Sequence, residues 1–165
     1  LCAIIGKTAL NLGKDENPLD YVLGYAVGND VTSRYWQAAE RSSAQAGYSK
    51  SFDKFCPLGP VIASSKAVAD ATNLRLTTKV NGEVRQDART DDLLFSVATI
   101  IRFLSRGHTL RPGTVIMTGT PSGVGAARSP QVWLKNGDVV EIEIEKIGVI
   151  RNKFVIPEDP SFPSI

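Results

Sequence analysis

The sequence predicts a β-rich α+β domain. The near-continuous apolar run "YVLGYAV" (21–27) reads as a buried strand. "LRLTTKV" and "EVRQD" flank Asn81-Gly82, the pair suited to a tight hairpin turn with positive φ at both central positions. "DVVEIEIEKIG" and "VIRNKFV" follow as a long alternating strand and a shorter partner. Strands and helices do not alternate regularly, which argues against a doubly wound parallel sheet.

Taken in order, "LCAII" followed by Gly6-Lys7 reads as a strand whose beginning is missing, since the chain starts inside an apolar run. After the 21–27 strand, "RYWQAAERSSAQA" predicts a helix over 33–46. In the hairpin, Leu74, Leu76, Thr78 and Val80 share one face. A second helix is expected behind Thr90 as N-cap, with Asp91 and Asp92 in its first turn. Leu93, Leu94, Val97, Ile100, Ile101 and Leu104 form its core-facing stripe. Arg102 and Arg106 complement its C-terminal dipole, and Gly107 serves as the C′ residue. "TVIMTG" (114–119) is a further strand. One domain over 1–156 is expected, followed by an extended tail at 157–165, "PEDPSFPSI".

Bulk properties bound the function. The chain has 165 residues, 42% hydrophobic and 22% charged, the balance of a globular domain with a substantial core. A net charge of +2 without a basic block gives no footprint for nucleic acid. No apolar run reaches the ~20 residues of a membrane span. Two cysteines, Cys2 and Cys56, read as free thiols of a reducing compartment, with the cytoplasm expected and the mitochondrion as the alternative.

The stretch "GYAVGNDVTSRYWQ" carries the most chemistry. Asp30 ends a buried strand at the mouth of a helix, and Arg34 and Gln37 share a face of that helix. Asp30 reads either as a helix cap, for which Thr32 and Ser33 compete, or as a ligand for a divalent cation beside an oxygen-rich anion. Lys50, in "YSKSFDKFCPLGP", reads as a substrate-facing cation or a solvated lysine. "TVIMTGTPSGVG" lacks the Gly-Lys-Ser/Thr of a P-loop, yet its hydroxyls and free N–H groups suit an oxyanion. Glu141, Glu143 and Glu145 read as the solvated face of a strand, and His108 as a surface residue.

"AIIGK", "GYAVGNDVTSRYWQ", "KSFDKFCPLGP", the long block from "VNGEVRQD" to "GTPSGVG", and "LKNGDVVEIEIEKIGVIRNKF" resemble, in order, the C-terminal catalytic domain of the fumarylacetoacetate hydrolase family. The closest flavour is its small-molecule 2-oxo-acid branch. The resemblance implies a mixed β-sandwich or β-roll with a few short helices, assembled as a homodimer. It also implies a site for Mg²⁺, or Mn²⁺ or Ca²⁺, in which Asp30 is a metal ligand. Arg34 and Gln37 then reach the substrate's carboxylate and oxo groups, Lys50 is the catalytic lysine beside the metal, and Thr120 binds substrate. The implied activity is hydrolysis of a C–C bond in small 2,4-dioxo acids of the acylpyruvate or fumarylpyruvate type, through a metal-bound enolate. The alternatives are decarboxylation of oxaloacetate, keto–enol tautomerisation, or a non-catalytic member without the metal. In the family a Glu-x-Glu pair and a lid bearing a His–Glu pair precede the segment matching "LCAIIGK", so both are expected upstream of Leu1.

Overall fold

The computed structural model describes residues 1–156, and the predicted tail at 157–165 lies outside them. Two four-stranded sheets face each other. Sheet 1 has the order β3-β2-β1-β6, from β1 (Cys2–Ile5), β2 (Val22–Gly28), β3 (Leu58–Ser64) and β6 (Val115–Met117). Sheet 2 has the order β5-β4-β7-β8, from β4 (Arg75–Val80), β5 (Glu83–Arg89), β7 (Val139–Ile144) and β8 (Gly148–Lys153). Both are antiparallel throughout.

The strand patterns explain the packing. Ala3, Ile5, Tyr25 and Val27 of sheet 1 and Val140, Ile142, Ile144 and Ile150 of sheet 2 share one apolar core. A bulge between Ile4 and Ile5 shifts the register against β2, so that Val22 joins this core while Leu23 faces out. The opposite face of sheet 1 holds the smaller cluster of Cys2, Ile4 and Ala26, with Met117 against it. The expected hairpin forms: Val80 pairs with Glu83, and Asn81 and Gly82 take φ of +50° and +84°. The alternation of β7 also holds, with Ile142 and Ile144 buried while Glu143 and Glu145 are exposed. Glu141 and Glu145 pair with Arg151 and Arg89.

The helices depart from expectation. The continuous helix over 33–46 is instead two single turns, α1 (Arg34–Gln37) and α2 (Ala39–Ser42), separated by extended backbone at Ala38 with ψ of 136°. The Ser42 hydroxyl bonds back to the carbonyls of Gln37 and Ala38, and Ser43 and Ala44 turn left-handed, so local side-chain bonding wins over propagation. A further turn, α3 (Ser65–Val68), follows β3.

The second long helix is also shorter, α4 (Val97–Leu104), and its N-cap is Ser96, whose hydroxyl accepts the Thr99 N–H. Thr90 is buried. Its hydroxyl accepts the Leu74 N–H at 2.8 Å and donates to the Ala71 carbonyl at 2.7 Å, tying the end of the hairpin to its start. Asp91 and Asp92 lie in a separate 3₁₀ turn. Leu94, expected in the core, is 95% exposed because the chain is not yet helical there. Arg102 donates to the carbonyls of Leu12, Gly13 and Glu16, so it clamps an N-terminal loop rather than its own helix end.

Candidate functional site

A cavity of about 610 Å³ opens between the sheets. Its charged lining residues are Arg34, Lys50, Arg85, Arg128 and Lys135 against Asp30 and Asp138, an excess of cations that suits an anionic ligand.

One wall grows from the end of β2. Gly28 closes the strand, and Asn29 donates to the Pro57 carbonyl, so the chain turns outward and presents Asp30. Asp30 Oδ2 lies 2.5 Å from Lys50 Nζ, and the same ammonium donates to Thr32 Oγ1 at 3.0 Å. Lys50 comes from a short 3₁₀ turn, Tyr48–Lys50, fixed from two sides. The Ser33 N–H donates to the Ser49 carbonyl at 2.9 Å, and the Trp36 ring meets Tyr48 edge-on at 5.4 Å. Ser33, not Asp30, caps α1, with its hydroxyl facing the Trp36 N–H. Asp30 is therefore released from capping and lies at the cavity.

The other wall is the 75–89 hairpin and the loop after β6. Thr78 donates to Gln86 Oε1 at 2.8 Å, and Gln86 Nε2 donates to Thr120 Oγ1 at 2.8 Å and to the Pro121 carbonyl at 3.0 Å. This relay orients the Thr120 hydroxyl. Burial pushes the Cys2 thiol above its ordinary range, which keeps this neighbour of the site neutral.

Of the five residues proposed from sequence, Asp30, Arg34, Lys50 and Thr120 line this one cavity. Gln37 does not reach its wall; its Oε1 accepts from Arg34 Nη1 at 2.5 Å. Thr32, Thr78, Gln86 and Arg85 were not singled out. The signal for Thr78 and Gln86 was a polar residue on the otherwise apolar face of Leu74, Leu76 and Val80, opposite a glutamine.

Asp30, partly exposed, can give a divalent cation one oxygen ligand. Among the described residues, no group of three His, Cys, Asp or Glu converges to complete such a shell. No helix among the described residues is long and apolar enough to cross a membrane.

The family model for the fumarylacetoacetate (FAA) hydrolase C-terminal region matches residues 1–155. The chain belongs to this family. It is 42% identical to the mitochondrial oxaloacetate tautomerase of Xenopus laevis over 155 residues, 94% of this chain and 48% of the relative. The corresponding human protein is 44% identical, with 94% and 49% covered. The chain thus spans about half the length of the curated relatives it matches. Among solved structures, fumarylacetoacetate hydrolase from Exiguobacterium antarcticum superposes with a TM-score of 0.88 at 43% identity, covering 94% of this chain and 55% of that one. Fumarylpyruvate hydrolase from Pseudomonas aeruginosa, in complex with Mn²⁺ and pyruvate, gives 0.83 at 31%, with 94% and 64% covered. The β-rich α+β architecture is that of the family.

Proposed function

We propose that the protein is a divalent-metal-dependent enzyme that forms and reprotonates the enol(ate) of a small 2-oxo acid, with keto–enol tautomerisation of oxaloacetate as its reaction. The observation that carries this reading is the Lys50 ammonium held between Asp30 and Thr32 on the wall of a cation-rich cavity shared with Arg34 and Thr120. Support for oxaloacetate over the hydrolysis expected from sequence comes from relatives above 40% identity that carry the tautomerase name. Hydrolysis of acylpyruvates stays as the second reading, supported by the likeness to fumarylpyruvate hydrolase.

In this proposal the Arg34 guanidinium receives the substrate's 1-carboxylate through a two-pronged hydrogen bond. Lys50 sits beside the 2-oxo oxygen, where its charge would balance that of the enolate. The Thr120 hydroxyl, aligned by Gln86, donates to the same oxygen-rich end. Asp30 would give one oxygen ligand to a divalent cation, Mg²⁺ or Mn²⁺. When bound, the ion polarises the 2-oxo carbonyl. The mitochondrial relatives favour that compartment over the cytoplasm, and a homodimer is part of the proposal.

The test is to follow enol decay of oxaloacetate, and separately acetylpyruvate cleavage, by ultraviolet absorbance on the full-length protein, with Mg²⁺, with Mn²⁺ and with chelator. Metal-dependent acceleration of oxaloacetate interconversion without pyruvate release supports the tautomerase. Acetate and pyruvate produced from acetylpyruvate, with no effect on oxaloacetate, supports the hydrolase instead.

A further inference from the structure

Asp30, Arg34 and Lys50 account for one wall of the cavity; the hairpin wall has a donor that nothing so far uses. In the hairpin, Thr78 pairs with Gln86 and Lys79 with Val84, so Arg85 is the extra residue of a bulge. A bulge turns its extra side chain toward the same side as the next one, and both Arg85 and Gln86 line the cavity. The bulge is held from outside: a Cβ on Gly123 would come 2.0 Å from the Arg85 carbonyl oxygen, and Arg128 Nη2 donates to that oxygen at 3.1 Å.

Among the described residues, Arg85 Nε is the one buried side-chain nitrogen or oxygen without a hydrogen-bond partner. The nearby groups are already committed. Arg128 also spends its Nε on the Gly123 carbonyl. Asp138 takes the Lys135 N–H at 2.7 Å and the Asn81 amide at 2.8 Å. Glu83, 64% exposed, reaches Arg85 only at Nη2, 3.0 Å away. Arg85, whose side chain is 20% exposed, thus keeps one buried guanidinium donor unmet, which is costly unless a ligand satisfies it, and a carboxylate is the group that matches a guanidinium.

We propose that Arg85 is a specificity-determining residue that receives a second carboxylate, so that the cavity selects dicarboxylic 2-oxo acids over monocarboxylic ones. The assignment rests on the reading above, in which the 2-oxo end of the ligand sits at Asp30, Arg34 and Lys50. Gln86 connects the two walls, since its amide holds Thr120 while its chain neighbour Arg85 lines the same cavity.

The matched pair 2-oxoglutarate and 2-oxopentanoate differs only in a terminal carboxylate against a methyl. Calorimetry on the full-length protein with its metal should find 2-oxoglutarate bound about tenfold more tightly or better. R85Q should erase that preference and R85K should restore part of it. In R85Q the KM for oxaloacetate should rise about tenfold, with kcat little changed and acetylpyruvate kinetics unaffected. Equal preference in wild type and R85Q, or the same loss for both ligands, overturns the assignment. Should R85Q fail to fold, R85K alone must weaken 2-oxoglutarate severalfold without touching 2-oxopentanoate, or the assignment falls. An Arg85-dependent preference without any turnover of oxaloacetate or acetylpyruvate would sink the proposed reaction and leave Arg85 in its role.

Discussion

The two walls of the cavity are built on different principles. The wall after β2 consists of loop, the single turn α1 and the Tyr48–Lys50 3₁₀ turn, and its side chains meet through charge: Asp30, Lys50 and Arg34. The wall from sheet 2 consists of paired strands, and its polar groups meet through a partly buried relay from Thr78 through Gln86 to Thr120. Charges that must exchange partners during a reaction need solvent access and adjustable backbone. Groups that must hold a donor in one direction need a ladder behind them. In the proposed reaction the first wall carries the reactive charges and the second carries orientation.

The largest effect should come from the first wall. Asp30→Asn keeps the shape but removes the negative charge that holds Lys50 and that a cation would use. Turnover of oxaloacetate should fall by about 10²–10³-fold. The thermal midpoint should stay close to that of wild type, because Asp30 is exposed and does not cap α1. Ser33→Ala is the contrasting change: it should cost about 1 kcal/mol of stability as a lost cap. A midpoint that drops in Asp30→Asn with activity retained would return Asp30 to a structural role.

Next comes the second wall. Gln86→Leu leaves the Thr78 hydroxyl, the Thr120 hydroxyl and the Pro121 carbonyl without their shared partner. Unmet polar groups of this kind cost about 1–3 kcal/mol, so denaturant unfolding should detect the change. Misaligned Thr120 should also lower kcat, by a smaller factor than Asp30→Asn. If Gln86→Leu lowered kcat as far as Asp30→Asn did, the division of labour between the walls would be wrong.

The same contrast explains what could be read from the amino-acid sequence. Sheet 2 was legible because alternation and Asn81-Gly82 are local signals, and both survive in the fold. The family blocks brought Asp30, Arg34, Lys50 and Thr120 together because short motifs carry reactive residues. The helices were misjudged. Apolar spacing around Leu93 and Leu94 continued past the point where backbone hydrogen bonds begin, and Thr90 had a tertiary partner, the Leu74 N–H, that spacing cannot reveal. Arg85 was missed for a related reason: a bulge depends on how two strands and the 119–128 loop meet, and in strict alternation Arg85 would face away from Gln86.

Acid should test the second wall. Paired hydrogen bonds from Arg75 hold the Asp87 carboxyl below its ordinary value. The Lys135 N–H and the Asn81 amide do the same for Asp138. A folded-state pKa below the unfolded one contributes stability that is complete above the unfolded value and is lost as pH falls through the folded one. Urea midpoints should be flat from neutrality down to about pH 5 and then decline. Both groups are exposed, so the decline should be shallow, and Asp87→Asn should make it shallower still. A decline that begins near neutrality would point to some other titrating group.

Gln37 should show the smallest effect and draws the boundary of the first wall most finely. Its side chain accepts from Arg34 at 2.5 Å but does not line the cavity, so in the proposed site it steadies the guanidinium rather than touching the ligand. Gln37→Ala frees Arg34 to sample other rotamers before it meets a carboxylate. The cost falls on binding, because the arginine must be ordered by the substrate itself, on the order of 0.5–1 kcal/mol for one side chain. That corresponds to roughly a two- to fivefold rise in KM with kcat unchanged. A direct contact with the oxo group would instead strengthen as the enolate forms, and its loss would appear in kcat. Steady-state kinetics of Gln37→Ala and Gln37→Glu separate the two cases. A KM-only effect in the first, restored in the second by the shorter charge-assisted bond to Arg34, places Gln37 behind the wall; a fall in kcat in both places it at the substrate.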